Sequence, residues 1–199
     1  MVDFFIKYTE IVIFDTEFTS WPGAMERHWS GSNEHREIVQ IAAQKINLTT
    51  EVVVDSFMQI IRPAINPILS EYFVTLTGLT QALVDQEGID FNLAYEQFEM
   101  WSAGLPIFSY AKQLGEHSDR GVLEENIQLY NLSHVLDSGR YDTLTAVFQA
   151  ANIDTNQFTS GELYRAFDLP LEGHVHNAMH DVDSLVASLF ALKKLNNVQ

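Results

Sequence analysis

The 199 residues carry 11 Lys plus Arg against 27 Asp plus Glu, a formal net charge of −16. That excludes a broad basic face gripping many duplex phosphates, so any nucleic-acid contact is local or bridged by bound cations. With 46% hydrophobic residues, 19% charged residues and no cysteine, the chain suits one globular domain with a full core, without disulfides or thiolate metal sites. Cysteine-free composition fits a reducing, cytoplasmic setting. The opening MVDFFIKYTE has no signal-peptide pattern, and no apolar stretch approaches membrane-span length, so no membrane partner is expected.

The short, β-branched run Glu10–Phe14 (EIVIF) predicts a buried strand. Ser20–Arg36 is polar and aperiodic, and loops of that length in a compact domain are often functional. Glu37–Asn47 and Glu51–Ile61 predict an antiparallel hairpin, and Pro63 and Pro67 end that pattern. A mostly helical middle follows, strongest over Phe91–Trp101. Leu105–Tyr110 predicts another buried strand. Asp119–Tyr130 carries Val122, Leu123, Ile127 and Tyr130 at helical spacing. His134–Ser138 reads as one more strand. Thr159 with Glu162 three positions on is the capping-box pattern of a helix start. The last helix is predicted from about Ala178 to Lys194, with a stripe of Val182, Leu185, Val186, Leu189 and Leu192. Three strands first, then strands alternating with helices, predict an α/β fold: a mixed sheet, antiparallel at its start and parallel later, flanked by helices.

Chemistry concentrates at the two ends. Asp15 and Glu17 stand two apart at the predicted end of the first strand, so they share a face. Such a pair either faces water or shares a cation, and oxygen ligands favour Mg²⁺ or Mn²⁺. Near the other end, HVHNAMHD places His176 just before the last helix and Asp181 in its first turn. Asp181 also reads as a helix-dipole cap, and His176 as a hydrogen-bonded loop residue. His174, His176 and His180 together raise a zinc site as a rival, which the absence of cysteine disfavours.

Together, Asp15-x-Glu17 and His176-x-Ala178-x-x-Asp181 resemble the first and third motifs of the DEDD-type 3′–5′ exonucleases with a catalytic histidine, a family with an RNase H-like fold. Its middle motif, an Asp opening a helix after a strand, is matched by Asp119 with Leu123 four positions on. The intervening AKQLGEHS is longer than the family commonly has there, and Asp119 also reads as a helix N-cap. REIVQIAA matches the family's second strand. The string IIRPAINPILSEYFVTLTGLTQALVD, residues 60–85, resembles the branch that holds the Eri-type RNA exonucleases and the histone-mRNA 3′ exonuclease. The likeness runs from about Glu10 to Leu195, which makes residues 1–199 a single exonuclease domain.

The resemblance implies two-metal hydrolysis at 3′ ends of single-stranded RNA or DNA, RNA favoured, releasing nucleoside 5′-monophosphates. Asp15, Glu17 and Asp181 are then the ligands of two Mg²⁺ or Mn²⁺ ions, Asp119 assists directly or through water, and His176 is the general base. It also implies that Phe18 and Thr19 lie under the terminal nucleotide and that Leu76, Thr77 and Gly78 pack its base. Phe18 reads equally well as a core aromatic. Trp21 and Trp29, in the long loop, read as packing residues. The alternative function is a binding module that uses the same fold without turnover.

Overall fold

A computed structural model describes residues 2–111, 118–133 and 136–197. Helix α1 (Val2–Lys7) leads into β1 (Glu10–Phe18), β2 (Ile38–Asn47) and β3 (Val52–Ile60), which pair antiparallel. Three helices follow: α2 (Glu71–Thr77), α3 (Gln81–Glu87) and α4 (Phe91–Ser102). Then come β4 (Ile107–Ser109), α5 (Asp119–Leu129), β5 (Tyr141–Thr143) and α6 (Thr145–Gln149), a 3₁₀ helix (Ser160–Phe167), and α7 (Ala178–Asn197). The sheet runs β3-β2-β1-β4-β5, with β4 parallel to both β1 and β5. This is the mixed α/β sheet the sequence predicts. Among the described residues, no helix is long and apolar enough to cross a membrane.

Central β1 is buried on both faces, which explains its unbroken apolar run. Val12 and Phe14 point into one core with Tyr95 and Phe98 of α4 and Leu123 and Ile127 of α5. Ile11 and Ile13 point into the other, against Val182, Leu185, Leu189 and Leu192 of α7. The whole predicted stripe of α7 is buried.

Four local expectations need correction. First, β1 does not stop at Phe14 but continues to Phe18, so Asp15 and Glu17 lie inside the strand. They can, because β2 pairs with them to the end, Asp15 with Ala42 and Glu17 with Gln40. Second, the strand expected at His134–Ser138 is displaced. His134 and Val135 lie outside the described residues, Ser138–Arg140 is a 3₁₀ turn, and Tyr141–Thr143 is the strand. The cause is turn chemistry: the Asp137 carboxylate accepts from Gly139 N at 3.2 Å. Third, the segment after Thr159 is 3₁₀ rather than α, and Thr159 does not cap it. Its hydroxyl donates to Glu162 Oε2 instead, at 3.2 Å, and Tyr164 N donates to Ser184 Oγ on α7. Docking on α7 thus draws backbone donors outside the segment. Fourth, the N-cap of α5 is Ser118, which accepts from Gly121 N, and Asp119 is the first helical residue.

Candidate active site

The alternation that sends Ile11 and Ile13 toward α7 sends Asp15 and Glu17 the same way, one and two pleats further along. They reach the level at which α7 begins. Ala178 N, at the start of α7, donates to Gln40 Oε1 of β2 at 3.0 Å, which ties that helix end to the strand beside the carboxylates. The β1–β2 register slips between Glu17 and Phe18, a bulge of the kind that re-aims side chains next to functional sites.

His176 sits two residues before α7 with φ +67. This left-handed backbone is uncommon for a non-glycine residue and is held here by a local hydrogen bond: His176 N donates to Asp181 Oδ1 at 3.1 Å. Asp181 Oδ2 accepts from Ser160 Oγ at 2.7 Å. One carboxylate therefore locks both the histidine turn and the start of the 3₁₀ helix. Candidate ligand atoms of Glu17, His176 and Asp181 all lie within 4.8 Å of one another. Asp119 arrives from the opposite side of the sheet. Its Oδ1 accepts from Thr16 N at 3.1 Å and Thr16 Oγ1 at 2.8 Å, so the residue between the two β1 acids anchors the third.

All five residues line one cavity of about 220 Å³, with Phe18, Trp29, Tyr72 and Leu76 on its apolar wall. Among the described residues, no lysine or arginine lines it. Burial pushes the Asp15 and Glu17 carboxyls well above their usual range. For Asp15, the charges of Asp119, Asp181 and Glu17 push further the same way; for Glu17, those of Asp181 and Asp119 do. Burial lifts Asp119 to about 6, against the Thr16 hydrogen bonds. Burial also raises Asp181, while Ser160 and His176 pull it back. Three buried acids and the half-buried Asp119 crowd their charges into one anionic pocket that His176 offsets only at Asp181. Carboxylate oxygens beside an imidazole are a donor set that fits divalent cations such as Mg²⁺ or Mn²⁺.

The rival zinc reading separates in space. His174 stands against Gly78, whose absent Cβ would lie 2.7 Å from its ring, and buried His180 faces the Gly161 carbonyl with Nε2 at 3.1 Å. His176 alone of the three lines the cavity.

The residues expected around a terminal nucleotide also divide. Phe18 and Leu76 line the cavity. Thr19 turns inward: it is buried, donates to the His35 carbonyl and accepts from Glu37 N at 3.0 Å, closing the base of the long loop. Thr77 is buried too, donating to the Phe73 carbonyl at 2.9 Å and accepting from Leu79 N at 3.1 Å. Gly78 takes φ +75 as the C-cap of α2, where a side chain would be strained. Thr77 and Gly78 therefore shape the turn that carries Leu76 and do not line the cavity.

Several contributors carried no local signal. Ser160 is 21 residues from the Asp181 it bonds. At Gly161 an added Cβ would stand 2.2 Å from Asp181 Oδ1; its only trace in the sequence is its place inside the capping-box pattern. Glu37, fully buried, accepts from Ala64 N at 2.8 Å and Ile65 N at 2.7 Å and sets the segment that leads to α2 and its Tyr72. Trp29, expected to pack, does both. Its Nε1 donates to the Thr19 carbonyl at 3.2 Å, its ring lies 5.6 Å from Phe18, and it faces the cavity.

A family model described as Exonuclease (RNase_T) matches residues 12–189. Human ERI1 exoribonuclease 2 is 32% identical over 91 residues, 46% of this chain and 12% of that protein. The 3′-5′ exonuclease eri1 of Schizosaccharomyces pombe is 31% identical over 88 residues, 44% of this chain and 28% of that protein. The chain thus spans less than a third of the length of either relative. Among solved structures, the nuclease domain of 3′hExo, a DEDDh family member bound to rAMP, superposes with a TM-score of 0.76 at 20% identity. That match covers 96% of this chain and 93% of the other, and it carries the RNase H-like exonuclease fold.

Proposed function

Because the chain belongs to the Exonuclease (RNase_T) family, we propose that it shortens single-stranded nucleic acid, RNA in preference to DNA, from the 3′ end and releases nucleoside 5′-monophosphates. The observation that carries this reading is the convergence of Asp15, Glu17, Asp119, Asp181 and His176 on one cavity. Support for the substrate comes from the exoribonuclease relatives and from the rAMP held by the similar nuclease domain.

Asp15, Glu17 and Asp181 are the residues that would hold two divalent cations, Mg²⁺ or Mn²⁺, with Asp119 assisting, and such ions supply positive charge at the scissile phosphate and acidify water. The protein's own part is positional. His176, pinned by its amide to Asp181, accepts a proton from the attacking water, whose oxygen bonds to phosphorus as the bond to the upstream 3′ oxygen breaks. That 3′ oxygen takes a proton from solvent. Phe18 and Leu76 wall the space beside the acids and offer apolar surface to the terminal nucleotide. Among the described residues no lysine or arginine lines the pocket, so cations would neutralise the phosphate, which reconciles a net charge of −16 with a polyanionic substrate.

Matched 5′-labelled RNA and DNA oligonucleotides, incubated with Mg²⁺ or Mn²⁺, should shorten from the 3′ end, RNA faster, and EDTA should stop the reaction. Binding without shortening in both metals would instead favour a non-catalytic binding module. Cleavage at internal positions would also defeat the exonuclease reading.

Gly161→Ala should lower Mn²⁺ affinity by tenfold or more, the usual scale for disturbing a residue that orients a ligand. The added methyl cannot share space with Asp181 Oδ1. Isothermal titration with Mn²⁺ checks it, and unchanged affinity would show that Asp181 is not a ligand.

A further inference from the structure

His180, the last of the three histidines in HVHNAMHD, does not line the acidic cavity. Yet it is only 7% exposed and precedes Asp181 in the chain. A buried imidazole is costly unless it finds hydrogen-bond partners, and this ring sits between two irregular segments. One is the start of the 3₁₀ helix, where Nε2 lies 3.1 Å from the Gly161 carbonyl. A carbonyl only accepts, so Nε2 carries a proton and donates it. Tyr164, one turn on, meets the ring edge-on with the ring centres 6.2 Å apart. The other segment is the turn that leads to His176. A Cβ added at Gly173 would stand 2.1 Å from His180 Nδ1 and 2.8 Å from its Cγ. The chain therefore passes directly over the ring, at a point that only glycine fits.

Both segments reach into the site. Ser160 Oγ, beside Gly161, donates to Asp181 Oδ2 at 2.7 Å, and the turn that starts at Gly173 ends at His176, whose amide donates to Asp181 Oδ1 at 3.1 Å. Two hydrogen bonds thus converge on one carboxylate, and the two segments that make them rest against one ring. Val175 closes the gap between them, since a Cβ at Gly161 would lie 3.1 Å from its Cγ1. The Asp181 carboxylate joins the two segments at the cavity, and the His180 ring sets the separation of the backbones behind it. That separation matters because a misplacement of about 1 Å can cost about 10²-fold in rate.

Resting on the exonuclease reading above, we propose that His180 is a positioning residue for the reaction. Its ring is the spacer that holds Gly161 and Gly173 apart and so aims Asp181 and His176 into the acidic cavity. It acts through those two residues, without contact with the substrate. An apolar side chain of similar size could fill the same space, but it would leave the Gly161 carbonyl without this donor. Glutamine keeps the donor, because its amide nitrogen extends about as far from the backbone as Nε2 of histidine.

The test compares wild type with His180→Leu, His180→Gln and Gly173→Ala on a 5′-labelled single-stranded oligonucleotide at saturating Mn²⁺, reading kcat and KM well below each protein's thermal midpoint. His180→Leu should lower kcat about tenfold or more, the scale for losing a residue that orients a ligand, while KM holds. His180→Gln should recover most of that loss. Gly173→Ala, whose methyl cannot share space with the ring, should repeat the loss with histidine still in place, and it carries the comparison if the leucine variant does not fold. A merely structural role would lower the thermal midpoints and leave kcat unchanged. That result, or a leucine variant as active as the glutamine one, overturns the positioning role while leaving the exonuclease reading intact. A wild-type protein that does not shorten the oligonucleotide overturns both.

Discussion

Asp15→Asn should abolish strand shortening, by about 10³-fold or more, and at the same time make the metal-free protein more stable at neutral pH. Both effects share one cause. Asp15 is 7% exposed and is surrounded by the charges of Asp119, Asp181 and Glu17. As a proposed cation ligand, Asp15 would support charge at the reacting phosphate, where even a single neutral donor is worth about 10²–10³. In the absence of cations, however, the same charge opposes folding.

The sign follows from the direction of the shift. These carboxyls have folded pKa values above their unfolded ones. Their contribution to stability is present below the unfolded value and is lost as pH rises through the folded value. For Asp119 that window runs from 3.8 to about 6, and for Asp15 and Glu17 burial and neighbouring charges shift it in the same direction. Metal-free wild-type protein should therefore melt at a lower temperature at pH 7.5 than at pH 5.5. Asp15→Asn should raise the pH 7.5 midpoint and flatten the slope, and Mg²⁺ should narrow the gap between the two proteins. A gain of about 1 kcal/mol moves the midpoint by about 2–4 °C in a domain of this size, well within calorimetry. A variant less stable than wild type at pH 7.5 in EDTA, or one retaining a tenth of its activity, would break the proposed link between charge strain and cation binding.

His176→Asn should lower kcat by about 10²–10⁴, the range for a positioned general base, while Mn²⁺ affinity changes less than tenfold. Asparagine is the proper replacement because the backbone there holds φ +67, a conformation asparagine adopts more readily than most residues. Single-turnover rates with saturating Mn²⁺, beside a calorimetric titration, separate the two possible roles. The histidine ring lies within reach of the Glu17 and Asp181 oxygens, so a large loss of metal affinity would make it a ligand, and a kcat within tenfold of wild type would remove it from proton transfer.

Much of this arrangement is local, and the residue pattern carries it. The two-residue alternation of side chains along a strand puts Asp15 and Glu17 on one face. The apolar stripe of α7, Val182 through Leu192, fixed which side of that helix is buried, and with it the position of Asp181 in the first turn. The β2–β3 hairpin followed from two β-branched runs separated by a short turn. Regular elements repeat, so one misread residue is outvoted by its neighbours.

Irregular segments have no such vote. Thr19 and Phe18 are adjacent, yet one bonds into the loop base and the other lines the cavity. His174, His176 and His180 are near neighbours in the chain, yet their rings meet Gly78, the acids and the Gly161 carbonyl in turn. Short-range pattern picked out the candidate residues, two acids on one strand face and a histidine and an acid bracketing a helix start, and the resemblance to the exonucleases gave them their proposed roles. Only the folded chain decided what surrounds them, namely Ser160 and Gly161 under Asp181, Thr16 on Asp119 and the Trp29 arch beside Phe18. Outside helices and strands, a side chain's direction is set by whatever packs against it, and those partners lie tens of residues away.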